Sequence, residues 1–204
     1  MDQRIKIPIE ISAHHIHLTR EDFYELFKKN NFTPLKQIGQ HQIAAAETVT
    51  LVNGNRKIEN VRLVAPFREK TQVEISLTEA IYLRIQPVLR LSGDLKNTPG
   101  IKIIGPQGEL ELEEGVIVAL RHIHASPEDI GKFGINPNEK VNVLVEGKRS
   151  LILRNIPIRV DPAFNWCLHL DTDEGNACGI STKGEGYLVS LQQQKRRFRW
   201  FKLR

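Results

Sequence analysis

The chain has 204 residues, 40% hydrophobic and 26% charged, with a formal net charge of +5. That length can bury a real core, in one large domain or two small interleaved ones, and the composition is that of an ordinary globular protein. No apolar run approaches the roughly 18 residues of a membrane-spanning helix, and the opening MDQRIKIPIE lacks the apolar core and small-residue cleavage site of a secretory signal. In chain order, Ile5, Ile7, Ile9 and Ile11 alternate with other residues, the period of a half-buried strand. Thr19 to Lys29 predicts a helix. Thr48 to Val52 and Val61 to Val64 flank Asn53-Gly54-Asn55, a hairpin signal. Leu77 to Arg84 predicts a second helix. Ile101 to Ile104, Leu110 to Leu112 and Val116 to Leu120 read as short strands. Ser126 to Phe133 is a third helix, with Pro127 just inside its start. Val141 to Val145 and Leu151 to Leu153 form another hairpin around Glu146-Gly147-Lys148. Ile156 to Val160 and Trp166 to Leu170 are further strands, and Thr172 to Cys178 is a fourth helix. Many short strands with turn signals predict barrels or sandwiches over a doubly wound sheet.

The last ten residues, KRRFRWFKLR, carry six basic side chains and no acid, so the rest of the chain is close to neutral. Such a tail reads as a solvated or partner-packing strand, or as a segment that binds polyanions. Phe198, Trp200 and Phe201 argue against pure solvation, because aromatic rings seek a surface to cover. Cys167 and Cys178 do not form a disulfide framework, which favours a reducing, cytoplasmic setting.

An internal repeat lies in HHIHLTREDFYELF, from His14, and RHIHASPEDIGKFG, from Arg121. His15, Ile16, His17, Glu21 and Asp22 recur as His122, Ile123, His124, Glu128 and Asp129. Each copy is a strand bearing His-x-His, then a capping residue, then a short helix, because Thr19 with Asp22 and Ser126 with Asp129 are helix-start signals. Two related half-structures follow.

Histidines two apart on a strand project from one face, so their imidazoles can converge on one ion. Four of the seven histidines fall into these two pairs. Zinc needs three or four ligands, so each pair needs a further group. Glu74 is the best extra carboxylate and His169 the best extra imidazole. His14 points away from His15 and His17 in a strand and reads as an exposed or supporting histidine. Cobalt and iron remain alternatives to zinc, because imidazole suits several ions. Cys167 and His169 share a strand face, so a Cys–His nucleophile pair is conceivable, but a zinc-bound His169 cannot act as a free base. Cys178 reads as a small buried residue.

Five ordered segments resemble the PduL-type phosphate acyltransferases, also called phosphotransacylases or phosphate propanoyltransferases. They are Ser12-Ala13-His14-His15-Ile16-His17-Leu18-Thr19-Arg20-Glu21-Asp22, then Gln72-Val73-Glu74-Ile75-Ser76, then Leu91-Ser92-Gly93-Asp94 with Pro99-Gly100. Glu114 to Ala119, running into Arg121-His122-Ile123-His124, is the fourth, and His169 to Glu174 with Asn176-Ala177 is the fifth. The resemblance implies a mainly β fold of two small β-barrel domains with exchanged strands, each capped by short helices, and a two-zinc site between them. The expected domains are residues 1–46 with 113–149, residues 47–112 with 150–194, and a basic aromatic tail at 195–204. Carried over residue by residue, His15, His17 and Glu74 hold one zinc, and His122, His124 and His169 the other. Arg68, in Pro66-Phe67-Arg68, matches the phosphate-binding arginine, and Ser92 and Gln72 match positions near the active site. The family usually has Arg or Asn at His14 and Met at Ala125; neither is a proposed ligand.

The implied reaction interconverts acyl-CoA (acetyl- or propanoyl-CoA) plus phosphate with acyl phosphate plus CoA, coenzyme A being a substrate. No amino-terminal targeting extension precedes the first strand, so a cytoplasmic role is expected. No membrane partner is expected and nucleic acid is not favoured. Oligomeric state is open, a homo-oligomer among the options. The alternatives are a zinc hydrolase such as a thioesterase, or a nucleic-acid or assembly module using the basic tail.

Overall fold

A computed structural model describes residues 4–38 and 42–189; the basic tail at 195–204 lies outside the described residues. The first strand, β1 (Lys6–Ser12), fully buries Ile7 and Ile9 on one face. β2 (His15–His17) follows at once. α1 (Arg20–Phe27) starts where the Thr19 side chain accepts the Asp22 N–H, and it buries Phe23, Leu26 and Phe27. β3 (Pro34–Ile38) pairs with β4 (Gln42–Asn53), and β4 turns into β5 (Arg56–Ala65) with Asn53 opposite Arg56. Gly54 sits at φ +58 in that turn, a left-handed conformation that glycine adopts without cost. All four residues of β6 (Gln72–Ile75) are buried. Ser76 and Glu79 make a reciprocal capping box for α2 (Leu77–Leu83). β7 (Leu89–Arg90), β8 (Ile101–Ile104), β9 (Glu109–Leu112) and β10 (Val116–Ala119) complete the first half of the chain.

The second copy of the repeat gives β11 (His122–Ala125) and α3 (Pro127–Phe133), the helix capped by a Ser126–Asp129 box and ended by Gly134. Then come β12 (Val141–Val145), β13 (Leu151–Ile156), β14 (Ile158–Val160), β15 (Cys167–Asp171), α4 (Thr172–Cys178) and β16 (Lys183–Leu188). Among the described residues no helix is long and apolar enough to cross a membrane.

The molecule is mainly β, with one nearly closed barrel-like sheet and one half-barrel sheet. One compact unit comprises described residues 12–38 and 42–120. Its sheet runs β7-β10-β6-β2-β5-β4-β8-β9, with β3 on β4, around a core that includes Ile16, Phe23, Leu51, Leu63 and Val73. The other unit comprises 4–11 and 121–189. Its sheet runs β13-β12-β16-β1-β15-β11-β14, around Ile7, Ile9, Ile123, Val143, Leu168 and Leu170. Each large apolar side chain so buried contributes about 1.5–3 kcal/mol.

This division runs elsewhere than the boundaries at 46/47 and 149/150 expected from sequence. A cut after residue 46 would split β4, and one after 149 would separate β12 from β13, its hairpin partner. The expected strand over 156–160 is interrupted at Pro157, whose ring nitrogen has no hydrogen to donate to a ladder. β3, β7 and β16 are additions to the expected elements.

Candidate metal and phosphate site

β2 lies in mid-sheet, parallel to β5 on one edge and antiparallel to β6 on the other, with His15 opposite Glu74 and His17 opposite Gln72. Alternation puts His15, His17, Gln72 and Glu74 on one face, while Ile16 and Val73 enter the core. His15 Nδ1 lies 2.9 Å from the Ala13 carbonyl and His17 Nδ1 2.8 Å from the Val64 carbonyl. A carbonyl only accepts, so each Nδ1 carries a proton, and the Nε2 of neutral His17 presents a lone pair toward Glu74. His15 Nε2 lies 3.6 Å from Glu74 Oε2, and His17 Nε2 lies 3.7 Å from Glu74 Oε1. His17 Nε2 is buried without a hydrogen-bond partner. A lone pair aimed at a carboxylate repels it unless a cation sits between them. Ligand atoms on one tetrahedral zinc lie about 3.3 Å apart, from metal–nitrogen bonds near 2.05 Å, so this spacing suits a shared ion.

Electrostatics agree. Burial, joined by the charges of His15 and Arg68, lowers His17 to about 4 against the pull of Glu74, so the ring is neutral at neutral pH. Burial alone would also lower His15, but the Glu74 carboxylate outweighs it and raises this ring. Burial would raise Glu74; the two imidazoles outweigh that and hold it well below the usual carboxylate range. An ionised carboxylate and a neutral imidazole are the ligand forms that a metal needs.

A hydrogen-bonded row extends from this set. Gln72 Nε2 donates to Glu74 Oε1 at 2.5 Å and to Ser92 Oγ at 2.9 Å. Its Oε1 accepts the Gly93 N–H at 2.7 Å, which fixes the amide orientation. Gly93 stands at φ +101, so a side chain there would strain the turn that supplies this amide. Arg68 Nη1 donates to Ser92 Oγ at 2.9 Å, and the Arg68 N–H donates to the Leu18 carbonyl. Phe67, next to Arg68 in the chain, packs on Phe23 and Phe32, with ring centroids 5.1 and 5.6 Å away, under the guanidinium of Arg20. Arg68, Ser92, Gln72 and Glu74 thus form one continuous polar chain. His14 turns away and bonds the Glu79 carboxylate.

The unit of residues 4–11 and 121–189 carries the second set. β11 and β15 are antiparallel, with His122 opposite His169 and His124 opposite Cys167. The His122 and His124 Nε2 atoms are 3.1 Å apart, and the His169 ring centroid is 5.5 and 4.4 Å from theirs. His124 stacks on Phe164 at 3.7 Å. Burial, with the charges of His169, His122 and Arg159, lowers His124 to about 2, so it is a neutral donor at neutral pH. Two ring nitrogens so close share at most one proton, and three imidazoles on one face suit zinc or a similar ion.

The family model described as phosphate propanoyltransferase matches residues 8–181. The chain belongs to the phosphate propanoyltransferase family. Similar proteins named phosphate propanoyltransferase include that of Thermotoga maritima, 47% identical over 91% of this chain and 90% of its own length. The Salmonella typhimurium protein is 47% identical over 85% and 83%, and that of Lachnoclostridium phytofermentans 42% over 91% and 86%.

Within this phosphate propanoyltransferase family member, sequence reasoning missed the groups that aim the donors. The Ala13 and Val64 carbonyls and the Gly93 amide are backbone, which residue type does not advertise. Phe164 lies five residues before His169 with no periodic signal to couple it to His124. Arg121, next to the second His-x-His, pairs with Glu174, whose carboxyl burial pushes upward.

Proposed function

We propose that this family member is a zinc-dependent phosphate acyltransferase, converting acetyl- or propanoyl-CoA and phosphate to acyl phosphate and CoA, and the reverse. The observation that carries this reading is the row Arg68–Ser92–Gln72–Glu74, which ties a guanidinium to a carboxylate that faces His15 and the unpartnered Nε2 of His17. The names of its relatives support the reaction class. His15, His17 and Glu74 would hold one zinc, and His122, His124 and His169 the other. Bound zinc supplies a Lewis acid for the thioester carbonyl and a positive charge for an anion.

Arg68 holds phosphate, because a guanidinium fork matches two phosphate oxygens. Ser92 accepts from Arg68 and from Gln72, so its own hydroxyl proton points elsewhere and can donate to a phosphate oxygen. The oriented phosphate oxygen bonds to the acyl carbon, the carbon–sulfur bond breaks, and the phosphate proton ends on the CoA thiol. Fixing both reactants supplies several kcal/mol through proximity. Cys167, buried and pushed up to about 12, stays a thiol in the metal-free protein and is no nucleophile.

Arg68→Ala tests the reading. Phosphate-dependent acyl transfer falls about 100-fold or more, as for loss of a charged transition-state contact, with a raised KM for phosphate. Thioester hydrolysis in place of transfer by the wild-type protein would instead establish the hydrolase alternative. Full acyl transfer by protein shown by metal analysis to hold no divalent ion would overturn the zinc dependence.

A further inference from the structure

A second donor group adjoins the imidazole trio and shares one member with it. Glu10, Cys167 and His169 each bring one ligand atom within 4.8 Å of the other two. β1 and β15 are neighbours in their sheet, and residues 167 and 169 of one strand point to the same face. The opposite face buries Ile9, Leu168 and Leu170 in the core. Cys167 is 7% exposed and in no disulfide. Its thiol lies 3.7 Å from the Leu168 carbonyl and also meets the backbone of Glu10. Lys183 occupies Glu10 Oε1 at 2.8 Å, which leaves the second carboxylate oxygen to serve an ion.

Thiolate, imidazole and carboxylate are three donors of the kind that bind zinc, at about 2.0–2.3 Å. Around one tetrahedral ion the sulfur and nitrogen lie about 3.6 Å apart, so small side-chain rotations close this group. Sulfur also makes the set softer than three imidazoles, favouring zinc, cobalt or cadmium over magnesium or manganese. We propose that Glu10, Cys167 and His169 form a further divalent-metal site, selective for soft and borderline ions, with His169 held in common with the imidazole trio. The metal–sulfur bond forms as the thiol proton leaves to solvent.

Cobalt reports sulfur ligation directly. Metal-free full-length protein titrated with Co2+ develops a near-ultraviolet sulfur-to-cobalt charge-transfer band. The band persists in Cys178→Ser and in the double variant His122→Ala/His124→Ala, and it is lost in Cys167→Ser. Glu10→Gln weakens the titration about tenfold or more. Cadmium-loaded wild-type protein, which needs no variant to fold, shows a cadmium resonance in the sulfur-ligated range. No charge-transfer band in the wild type, a band that survives Cys167→Ser, or a cadmium resonance typical of nitrogen and oxygen ligands refutes the proposal. Visible cobalt bands that vanish in the double variant, with no sulfur band at any stage, keep the three-imidazole reading and reject this site alone.

Discussion

Gln72→Leu removes the centre of the polar row while keeping the side-chain volume close. Gln72 is 1% exposed and makes three side-chain hydrogen bonds, to Glu74, to Ser92 and from Gly93. Two are between neutral groups, at about 1 kcal/mol each, and the one to the Glu74 carboxylate is worth about 1.5–3 kcal/mol. The expected loss is about 3–5 kcal/mol, and at about 2–4 °C per kcal/mol for a chain of this size Tm falls by about 6–20 °C. Glu74 also loses the donor that fixes its rotamer, and loss of such an orienting contact weakens metal binding about 10–100-fold. Far-ultraviolet circular dichroism of chelator-treated protein gives the Tm change, and competition with a chromophoric chelator gives the zinc affinity. A Tm within about 2 °C of wild type together with unchanged zinc affinity would refute the claim that Gln72 positions Glu74.

Two further outcomes follow from packing and charge. Because His17 and His124 stand at about 4 and about 2, below the roughly 6.5 of histidine in an unfolded chain, the unfolded state binds more protons below that pH. Their effect on the metal-free protein is a loss of stability as the pH falls from about 7 to about 5. The raised His15 opposes this, its contribution being complete below about 6.5 and lost as pH rises through its folded value. Urea unfolding of His124→Ala at both pH values checks it: the variant should lose less than wild type over this interval. Phe23→Ala, at a fully buried ring stacked on Phe27 at 4.8 Å, destabilises by about 3–5 kcal/mol. It also withdraws support from Phe67, so the KM for phosphate rises through Arg68, which steady-state kinetics measures.

The shared face of each histidine pair was legible in sequence because the spacing sets it. His-x-His puts two rings on one strand face whatever the strand pairs with, and capping residues Thr19 and Ser126 mark where each helix begins. Strand partners are less legible, since periodicity names a face and not a neighbour. β2 runs parallel to β5, a pairing between segments about 45 residues apart that no local pattern encodes. β16, with the sequence KGEGYL, lacks an apolar alternation and was invisible for that reason. Its glycines are explained only by packing: a Cβ at Gly184 would meet Ile180 at 2.6 Å, and one at Gly186 would meet Val143 at 2.5 Å. The closeness of Glu10 to Cys167 likewise depends on strand order, not on spacing.

A three-residue strand gripped along both edges has no slack. His15 and His17 are carried by β2 with β5 on one side and β6 on the other, so their spacing is set by the pitch of a sheet and not by a loop that can breathe. An ion held there would have no backbone hinge through which to be released, and His17, Gln72 and Glu74 around it are buried. The transplantable unit is therefore three strands wide. Moving His-x-His alone into another protein would carry the two rings and leave behind the Val64 carbonyl and the Glu74 carboxylate that face them.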